Sequence, residues 1–324
     1  MRAAVCHDHG APEVVRIEDV PRPELAPGQV RVRIGAAAVN FPDVLLVAGR
    51  YQVSVAPPFT PGSEFSGVVA ELGAGVTDVA AGDRVFGTIM VGAFAEEVVV
   101  APGALTRVPP KVDQRSAAAF GVAHRTAYHA LRSVAALRAG EELVVLGAGG
   151  GVGLAAVQLG SILGATVTAV ASTREKLDVA SACGAQRLVT HRGADLRQAL
   201  RHALPDGADV VLDPVGGALS EPALRSLGWG GRFVTVGYAS GEIPAIPLNL
   251  VLLKGVHVVG FQIGTFARHA PEDHTRNEGE LIELLASGRV LPHIDRTFDL
   301  EDVADALRYV ADGRVIGKVV LDVA

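Results

Sequence analysis

The stretch that decides the fold is LVVLGAGGGVGLAAVQLG at residues 143–160. Its first five residues, LVVLG at 143–147, predict a short apolar strand, and GVGLAAVQLGSILG at 151–164 predicts a helix. Between them, Ala148, Gly150 and Gly153 follow the spacing of a dinucleotide-binding loop, with alanine in place of the first glycine. Glycines allow the backbone to approach a pyrophosphate, and the start of a helix offers N–H donors and a positive dipole. The stretch therefore predicts a dinucleotide-binding turn, with a plain packing turn as the alternative.

The same alternation of strand and helix continues downstream. TVTAVAS at 166–172 is typical of a strand, REKLDVASACG at 174–184 of a helix that ends at a glycine, and RLVT at 187–190 of the next strand. The pattern persists to about residue 240 and predicts an α/β fold with a doubly wound parallel sheet. Residues 143–172 carry no charge and are long enough to cross a membrane, but their glycine cluster and β-branched stretch favour strand, turn and helix.

The length and the change of pattern along the chain predict two domains. A chain of 324 residues is longer than one hydrophobic core usually supports. Short β-branched segments between Gly and Pro turns fill the first part, and helix-forming sequence begins near Ser116. We therefore expect a β-rich domain over residues 1–119, a nucleotide-binding domain over 120–258, and a C-terminal segment over 259–324 that returns to the first domain.

Composition and charge exclude several classes of protein. Hydrophobic residues make up 49% of the chain and charged residues 20%, which is an ordinary globular balance. The net charge of −6 argues against a nucleic-acid partner, because phosphate binding needs a basic face. The two cysteines, Cys6 and Cys183, cannot form a disulfide framework or a cysteine zinc site. Because the N-terminal MRAAVCHDHG also lacks the apolar core of a secretory signal, we expect a cytoplasmic protein.

The residues after the second predicted strand bear on the choice of cofactor. A site for NAD usually places Asp or Glu there to accept a hydrogen bond from the ribose 2′-hydroxyl. This chain has Ala171 followed by Ser172, Thr173 and the cations Arg174 and Lys176. These donors suit a 2′-phosphate, which a carboxylate would repel, so the segment favours NADPH over NADH. The alternative is that Ser172 or Thr173 only caps the following helix.

Two other features could indicate a metal site. Glu64 lies alone among small and apolar residues in TPGSEFSGVVAEL at 60–72. Among the ten histidines, His124 and His129 are five residues apart on a predicted helix, a spacing that does not bring two ligands to one face. We interpret these histidines as surface or capping residues and expect no bound metal.

The chain resembles the zinc-free quinone oxidoreductase branch, the zeta-crystallin-like branch, of the medium-chain dehydrogenase/reductase superfamily. The resemblance covers nearly the whole length and implies a Rossmann doubly wound parallel sheet domain plus a β-rich GroES-like catalytic domain. The stretches that carry it are AAVNFPDVLLVAGRY (37–51), PFTPGSEFSGVVAELGAGV (58–76), GDRVFG (82–87), RTAYHAL (125–131), LVVLGAGGGVGLAAVQLG (143–160), STREKL (172–177), DPVGG (213–217), IPLNLVLLKG (246–255) and GKVVL (317–321).

The chain departs from the zinc-dependent relatives at both of their metal sites. Those relatives have a cysteine near the position of Phe41 or Pro42, and Gly-His-Glu where this chain has Gly62, Ser63 and Glu64. Their four-cysteine lobe is also absent, since residues 85–103 contain no cysteine. We therefore expect Glu64 to be a partly buried carboxylate that accepts hydrogen bonds from backbone amides around the glycines, with a direct catalytic role as the less favoured alternative.

The resemblance also implies the site residues. Asn40 would face the nicotinamide, and Tyr51 would either donate a hydrogen bond to the substrate carbonyl or only pack in its loop. The residues implied to contact the cofactor are Asn40, Thr126, Gly150, Gly151, Val152, Ser172, Arg174, Lys176, His191, Gly237, Tyr238, Phe261, Gln262, Ile263 and Lys318. His191 takes the place of a tyrosine that often contacts the adenine end in relatives, with Arg192 beside it.

The function implied is NADPH-dependent transfer of hydride to a quinone or an α,β-unsaturated carbonyl, because such conjugated acceptors need no Lewis acid. Two alternatives remain open at this point: reduction of an enoyl thioester, and NADPH binding without turnover by a sensor or structural protein. The family further implies a homodimer formed by edge strands around LLKGVHVVG. We expect a small-molecule substrate, with no nucleic-acid partner and no membrane association.

Overall fold

A computed structural model describes residues 1–323, and the chain divides into two compact units. Unit 1 consists of Met1–Val122 together with the chain from Leu291 onward, and unit 2 consists of Ala123–Val290. The chain thus leaves the first unit once and returns to it once. Each unit has its own buried apolar core, as two domains of this size require.

The secondary structure of residues 1–323 comprises fifteen strands and eleven α-helices. The strands are β1 (Arg2–Cys6), β2 (Val15–Asp19), β3 (Val30–Val39), β4 (Glu64–Leu72), β5 (Arg84–Thr88), β6 (Glu97–Val100), β7 (Leu105–Arg107), β8 (Glu142–Leu146), β9 (Thr166–Ala171), β10 (Arg187–Thr190), β11 (Ala208–Asp213), β12 (Leu227–Thr235), β13 (His257–Gly260), β14 (Ile294–Asp299) and β15 (Lys318–Asp322). The helices are α1 (Phe41–Val47), α2 (Gln114–Ala118), α3 (Gly121–His129), α4 (Gly151–Ile162), α5 (Arg174–Ala182), α6 (Leu196–Ala203), α7 (Ser220–Arg225), α8 (Leu248–Lys254), α9 (Ile263–His269), α10 (Pro271–Ala286) and α11 (Val303–Ala311).

Unit 2 is built on a six-stranded sheet in the order β10-β9-β8-β11-β12-β13, and every neighbouring pair is parallel. This is the doubly wound order of dinucleotide-binding domains, in which the first and fourth strands lie side by side at the point where the winding reverses. The central strands β8 and β11 are mostly apolar because helices cover both faces of such a sheet. Val144, Val211 and Phe233 are buried in its core. The sequence prediction of a Rossmann sheet is confirmed.

Unit 1 is a mostly antiparallel sheet in the order β14-β15-β3-β4-β5-β7, with β6 also paired to β3 and with β1 and β2 forming a separate hairpin. The long strand β3 is the centre, since β4 and β15 pair with it antiparallel on opposite sides. Val32, Phe65, Phe94 and Leu321 belong to the core beneath it. This is the predicted β-rich GroES-like domain.

The boundary of the C-terminal segment differs from the prediction. Residues 259–290, which we expected to return to the first domain, lie in unit 2, and the return begins at Leu291. The reason is that β13 joins the parallel sheet beside β12, with Thr235 opposite Gly260. Helix α10 then stays with unit 2, where its Asn277 hydrogen-bonds His129 at the end of α3.

The charge-free stretch 143–172 forms β8, α4 and β9 rather than one continuous helix. Within residues 1–323, no helix combines the length and the apolar character that crossing a membrane requires.

Candidate functional site

The glycine loop of unit 2 has the geometry of an anion-binding helix start. Helix α4 begins at Gly151, and Gly150 at its N-cap is extended with φ −91° and ψ 174°. Gly147 has φ +60°, a left-handed conformation that favours glycine. A Cβ on Gly153 would lie 2.1 Å from the carbonyl oxygen of Gly147, so only glycine lets the helix pack this closely on the loop. The first amides of α4, including those of Gly151 and Val152, have no acceptor inside the helix and can bind a pyrophosphate.

A small cavity of about 120 Å³ lies beside this loop, at the carboxyl ends of the parallel strands. Four of its lining residues were predicted from the sequence as cofactor contacts: Gly150, Ser172, Lys176 and His191. The complete lining is Gly147, Gly149, Gly150, Ala171, Ser172, Lys176, His191, Val215 and Leu219. The fold thus brings together segments that are up to 72 positions apart, from 147 to 219. The cavity lies at the edge of the sheet where ligands of doubly wound folds bind.

Lys176 is held across the glycine loop by close packing. A Cβ on Gly149 would lie 2.6 Å from both Cβ and Cγ of Lys176, so the lysine stem occupies the space that a side chain there would need. The cap of α5 is Thr173, whose hydroxyl accepts a hydrogen bond from the Lys176 amide at 3.4 Å. Ser172 therefore is not the capping residue and lines the cavity instead.

Arg174 takes a different position from the other predicted cations. Its side chain is 77% exposed, and its Nε donates to Asp178 one turn further along α5, at 2.8 Å. It does not line the cavity.

His191 follows β10 and closes the cavity from the third strand. Its backbone N–H donates to the carbonyl oxygen of Ala171 at 3.2 Å, which ties the residue to the end of β9. Burial lowers the pKa of the His191 imidazole, and the positive charges of Arg192 and Lys176 lower it further. The imidazole therefore favours the neutral form at neutral pH.

The remaining predicted contacts of unit 2 lie outside the lining of this cavity. Thr126 is half-buried on α3, and Gly237 and Tyr238 follow β12. Phe261 is buried, with its ring 5.6 Å from that of Phe266. Gln262 caps α9 by accepting a hydrogen bond from the Thr265 amide, and Ile263 is the first residue of that helix.

Five lining residues were not predicted as contacts. Gly147 and Gly149 belong to the glycine loop, and Val215 to the quoted DPVGG stretch, so signals for them existed in the sequence. Ala171 was noted only as the strand end where a site for NAD would place an acid, and Leu219 carried no such signal. They line the cavity because the strand order places the ends of β9 and β11 on either side of β8.

In unit 1, sheet topology brings Asn40, Glu64 and Lys318 together. Asn40 follows the last residue of β3, whereas Glu64 and Lys318 are the first residues of β4 and β15. Because β4 and β15 run antiparallel to β3 on either side of it, both of their first residues meet the end of β3. All three side chains are buried.

Glu64 is the acceptor at the centre of this cluster. Its Oε1 accepts hydrogen bonds from Nδ2 of Asn40, at 3.0 Å, and from Nζ of Lys318, while its Oε2 accepts from the backbone N–H of Val122 at 2.8 Å. Lys318 Nζ also donates to Oδ1 of Asn40. We expected Glu64 to accept hydrogen bonds from backbone amides around its neighbouring glycines, and this prediction of its hydrogen-bond donors was wrong. The carboxylate is fully buried, and a lysine 254 positions away supplies the compensating charge.

The surroundings of Glu64 do not fit zinc. Zinc in proteins takes thiolate, imidazole and carboxylate ligands, and a catalytic site supplies three of them. The partners of Glu64 are an amide, an ammonium group and a backbone N–H, all of which donate hydrogen bonds. A divalent cation at this carboxylate would have to displace Lys318.

Asp43 is a second buried carboxyl beside the cluster. Its Oδ2 accepts from the backbone N–H of Asn40 at 2.7 Å, three residues earlier, in the manner of a capping box. Burial raises the pKa of Asp43 to about 7, although the Asn40 amide and the charge of Lys318 oppose the rise. Burial also raises the pKa of Tyr51, and the Asp43 charge adds to that effect. Tyr51 itself is half-buried against the core of unit 1.

The histidines of α3 are not surface residues, which corrects our interpretation: His124 and His129 are both buried. Nδ1 of His129 faces Nδ2 of Asn277 at 3.0 Å, while Oδ1 of Asn277 accepts from Arg276. The amide nitrogen is thus the donor, and His129 carries its proton on Nε2, which faces Oε1 of Glu278 at 3.1 Å. Burial opposes ionisation of Glu278, but the His129 hydrogen bond and the Arg125 charge hold its pKa below the usual value.

His274 lies next to His129 and Glu278, and the ligand atoms of the three residues are within 4.8 Å of one another. Two features oppose a metal ion there. The imidazole rings of His129 and His274 are stacked, 5.0 Å apart and within 10° of parallel, so their in-plane lone pairs do not converge on one point. Arg125 also donates to Glu278 at 2.8 Å and neutralises the carboxylate. The group is a hydrogen-bonded network of unit 2.

The geometry of the two units defines a class: a GroES-like domain with a buried Asn–Glu–Lys cluster, joined in one chain to a doubly wound dinucleotide-binding sheet. Two family profiles match accordingly, the alcohol dehydrogenase GroES-like domain over residues 26–110 and the zinc-binding dehydrogenase domain over 151–283.

Individual proteins match over most of the chain. Quinone oxidoreductase-like protein 2 of Bos taurus is 39% identical over 322 residues, which is 99% of this chain and 92% of that protein. The crystal structure of Escherichia coli quinone oxidoreductase complexed with NADPH superposes with a TM-score of 0.93 at 27% identity, covering all of both chains. The spectinabilin polyketide synthase system protein NorB of Streptomyces orinoci is 37% identical over 300 residues, 92% of this chain but 13% of that protein. The chain belongs to the quinone oxidoreductase-like branch of the medium-chain dehydrogenase/reductase superfamily and is an oxidoreductase of that superfamily.

Proposed function

We propose that this protein is an NADPH-dependent oxidoreductase that transfers hydride to a quinone or an α,β-unsaturated carbonyl without zinc. The observation that carries the proposal is the cavity at the glycine loop, which Lys176, Ser172 and His191 line and no carboxylate enters. An acid at the end of β9 would select NADH, whereas hydrogen-bond donors and a cation there select a 2′-phosphate. The E. coli relative was crystallised with NADPH, which supports the same choice.

The residues that would hold the cofactor fall into two groups. The backbone amides of Gly151 and Val152 would bind the pyrophosphate at the start of α4, where the helix dipole favours negative charge. The N–H of Gly150 already donates to the carbonyl oxygen of Gly147 at 2.9 Å, so Gly150 would contribute by letting the backbone approach the pyrophosphate closely. Ser172 and Lys176 would bind the 2′-phosphate. Arg174 would add only long-range attraction, because its guanidinium is exposed and already paired with Asp178.

The other family-implied contacts remain part of the proposal. Asn40 and Lys318 would orient the nicotinamide. The other residues proposed near the nicotinamide half are Thr126, Gly237, Tyr238, Phe261, Gln262 and Ile263.

When bound, NADPH supplies the hydride, and the chain's own residues have to stabilise the charge that the acceptor then gains. A conjugated carbonyl spreads that charge onto its oxygen, which needs a proton rather than a metal ion. Tyr51 is proposed to donate a hydrogen bond to that oxygen, because burial raises the pKa of its hydroxyl and keeps it protonated at neutral pH, and the proton itself would come from solvent. An unactivated ketone would demand stronger electrophilic help than this site offers.

The experiment that tests the proposal is oxidation of NADPH by the purified, chelator-treated protein, with a simple quinone and crotonyl-CoA offered separately. NADH serves as the control cofactor, and metal content is measured on the same sample. Turnover of the quinone with NADPH, little turnover with NADH and no bound zinc would support every part of the proposal. Activity that disappears with the chelator and returns with zinc would refute the zinc-free mechanism.

A second candidate acceptor is an enoyl thioester. The match to a polyketide synthase protein favours it, because polyketide chains are assembled as thioesters. Crotonyl-CoA reduction in the absence of quinone reduction would assign the protein to this reaction. NADPH binding without turnover of either acceptor would instead support the non-catalytic sensor or structural role.

We also propose a cytoplasmic homodimer formed along β13. This strand has a sheet neighbour only on its β12 side within the described residues, and large apolar side chains near it face solvent. Trp229 is 85% exposed and Leu252 79%, with Leu248, Leu253 and Val258 also exposed. Exposed large apolar side chains beside an open sheet edge are typical of a subunit interface. Light scattering coupled to size-exclusion chromatography should give the mass of a dimer, and the variant L252E/L253E that of a monomer.

A further inference from the structure

His191 occupies an unusual position for a titratable group. It lines the same cavity as Ser172 and Lys176, directly after β10, the strand that neighbours β9, and its backbone N–H donates to the carbonyl oxygen of Ala171. An imidazole can donate from two nitrogens when protonated but from only one when neutral. Its charge state therefore decides how many donors this part of the cavity presents.

The groups around His191 all disfavour the imidazolium when the cavity holds no anion. The ionisable neighbours that act on it are two cations, Lys176 on α5 and the adjacent Arg192. The other lining elements contribute glycines from the loop after β8, Ala171 and Ser172 after β9, and Val215 and Leu219 after β11, none of which ionises. With partial burial added, these cations lower the pKa of His191 below that of an exposed histidine.

A dianion placed among the same groups would reverse this balance. The 2′-phosphate of NADPH carries nearly two negative charges above its second pKa of about 6. Beside it, the imidazolium would gain a charge-assisted hydrogen bond, and the repulsion by Lys176 would be offset by the phosphate charge. NADH, which lacks this phosphate, would leave the imidazole neutral.

We propose that His191 takes up one proton from solvent when the 2′-phosphate of NADPH binds, so that the imidazolium becomes a donor to the phosphate and the preference for NADPH over NADH depends on pH. The inference rests on the proposed NADPH specificity and adds the residue that couples it to protons. By linkage, a group that gains a proton on binding makes affinity rise as pH falls. Between the pKa of free His191 and its higher value in the complex, NADPH affinity should fall by up to about tenfold per pH unit.

The test is isothermal titration calorimetry of NADPH and NADH binding at pH 7.5, in two buffers of different ionisation enthalpy such as HEPES and Tris. The difference in apparent binding enthalpy between the buffers gives the number of protons taken up. At this pH the free 2′-phosphate is already mostly ionised, so it contributes little. We expect an uptake approaching one proton with NADPH and close to zero with NADH.

Two variants test whether His191 is the group that takes up the proton. H191Q keeps a hydrogen-bond donor but cannot titrate, so it should bind NADPH without proton uptake and with a flatter pH dependence between 6 and 8. R192Q changes the neighbouring exposed cation and should keep the uptake. Uptake that persists in H191Q, or tight NADPH binding without uptake in the wild type, would overturn the inference while leaving NADPH specificity intact. Equal affinity for NADPH and NADH with no uptake would overturn the cofactor proposal and this inference together.

Discussion

Nζ of Lys318 donates a hydrogen bond to Oε1 of Glu64, and the two side chains are 4% and 1% exposed. A buried ion pair of this kind contributes little net stability compared with apolar residues, because both charges lose their hydration. Removing one partner is costly, since the other charge then stays buried without compensation. The stability of the sheet at the end of β3 therefore depends on an ion pair between the first residues of β4 and β15, which are 254 positions apart in the chain.

The first prediction concerns this pair. K318M should lower the free energy of unfolding by about 3–5 kcal/mol, because the Glu64 carboxylate would remain buried without its cation. The double variant E64Q/K318M should lose less than the sum of the two single variants, since neither charge then remains. Urea denaturation of the four proteins measures the cycle. Additive losses would mean that the two charges are not coupled.

The second prediction follows from Asp43, whose pKa burial raises to about 7. The unfolded chain would have its ordinary value near 4, so the folded state binds more protons between pH 4 and 7. Stability from this group is therefore present at low pH and lost as pH rises through 7, with a slope of up to about 1.4 kcal/mol per pH unit. D43N keeps a side-chain oxygen for the Asn40 amide but cannot titrate.

The measurement is the difference in unfolding free energy between wild type and D43N at pH 5, 6, 7 and 8. The difference should move in favour of D43N as pH rises to about 7, and then level off. A difference that stays constant over this range would contradict a raised pKa for Asp43.

The third prediction compares two cations of the same helix. K176M should weaken NADPH binding by about 10- to 100-fold, the expected loss for one charge-assisted hydrogen bond to the 2′-phosphate, and should leave NADH binding nearly unchanged. R174M is the matched control, because Arg174 is exposed and paired with Asp178. It should change NADPH affinity less than threefold. Equal effects of both substitutions would indicate that only the general positive charge of α5 matters.

The fourth prediction separates three glycines of the loop. A Cβ on Gly153 would meet the Gly147 carbonyl at 2.1 Å, so G153A should destabilise the fold by about 1–3 kcal/mol. A Cβ on Gly149 would meet the Lys176 stem, so G149A should weaken NADPH binding more than NADH binding. A Cβ on Gly150 would have 3.6 Å to its nearest atom, and its φ suits alanine. G150A should fold normally and bind both dinucleotides less tightly.

Thermal denaturation and titration of both cofactors distinguish the three cases. A G150A protein that binds NADPH and NADH as tightly as the wild type would exclude close approach of the pyrophosphate to this residue.

The fold could be predicted from the sequence because its signals are local. The alternation of apolar strands with helices after residue 143 defines a parallel sheet, and the glycine spacing marks the helix start that faces a ligand. The residues after β9 indicated the charge of the cavity, since a carboxylate there would have been visible in the sequence. The division of the C-terminal part was less predictable, because β13 and α10 remain with unit 2 through pairing and packing that periodicity does not encode.

The partners of buried polar groups could not be predicted. Glu64 is a lone carboxylate in an apolar stretch of the sequence, but no residue near it in the sequence predicts that Lys318 is its partner. His129 was interpreted as a surface or capping residue because its spacing fits no metal motif, whereas it is buried against Glu278 and Asn277 on α10. Such pairs depend on which strands and helices become neighbours in space.

The sequence by itself therefore determined the two-domain architecture, the family, the glycine turn and the cationic character of the segment after β9, because each depends on residues close together in the chain. Only the tertiary structure decided that Ser172, Lys176 and His191 share one cavity while Arg174 does not, and that Lys318 neutralises Glu64. Burial, pKa and ion pairing arise from segments that the order of strands brings together, and that order is a property of the folded chain.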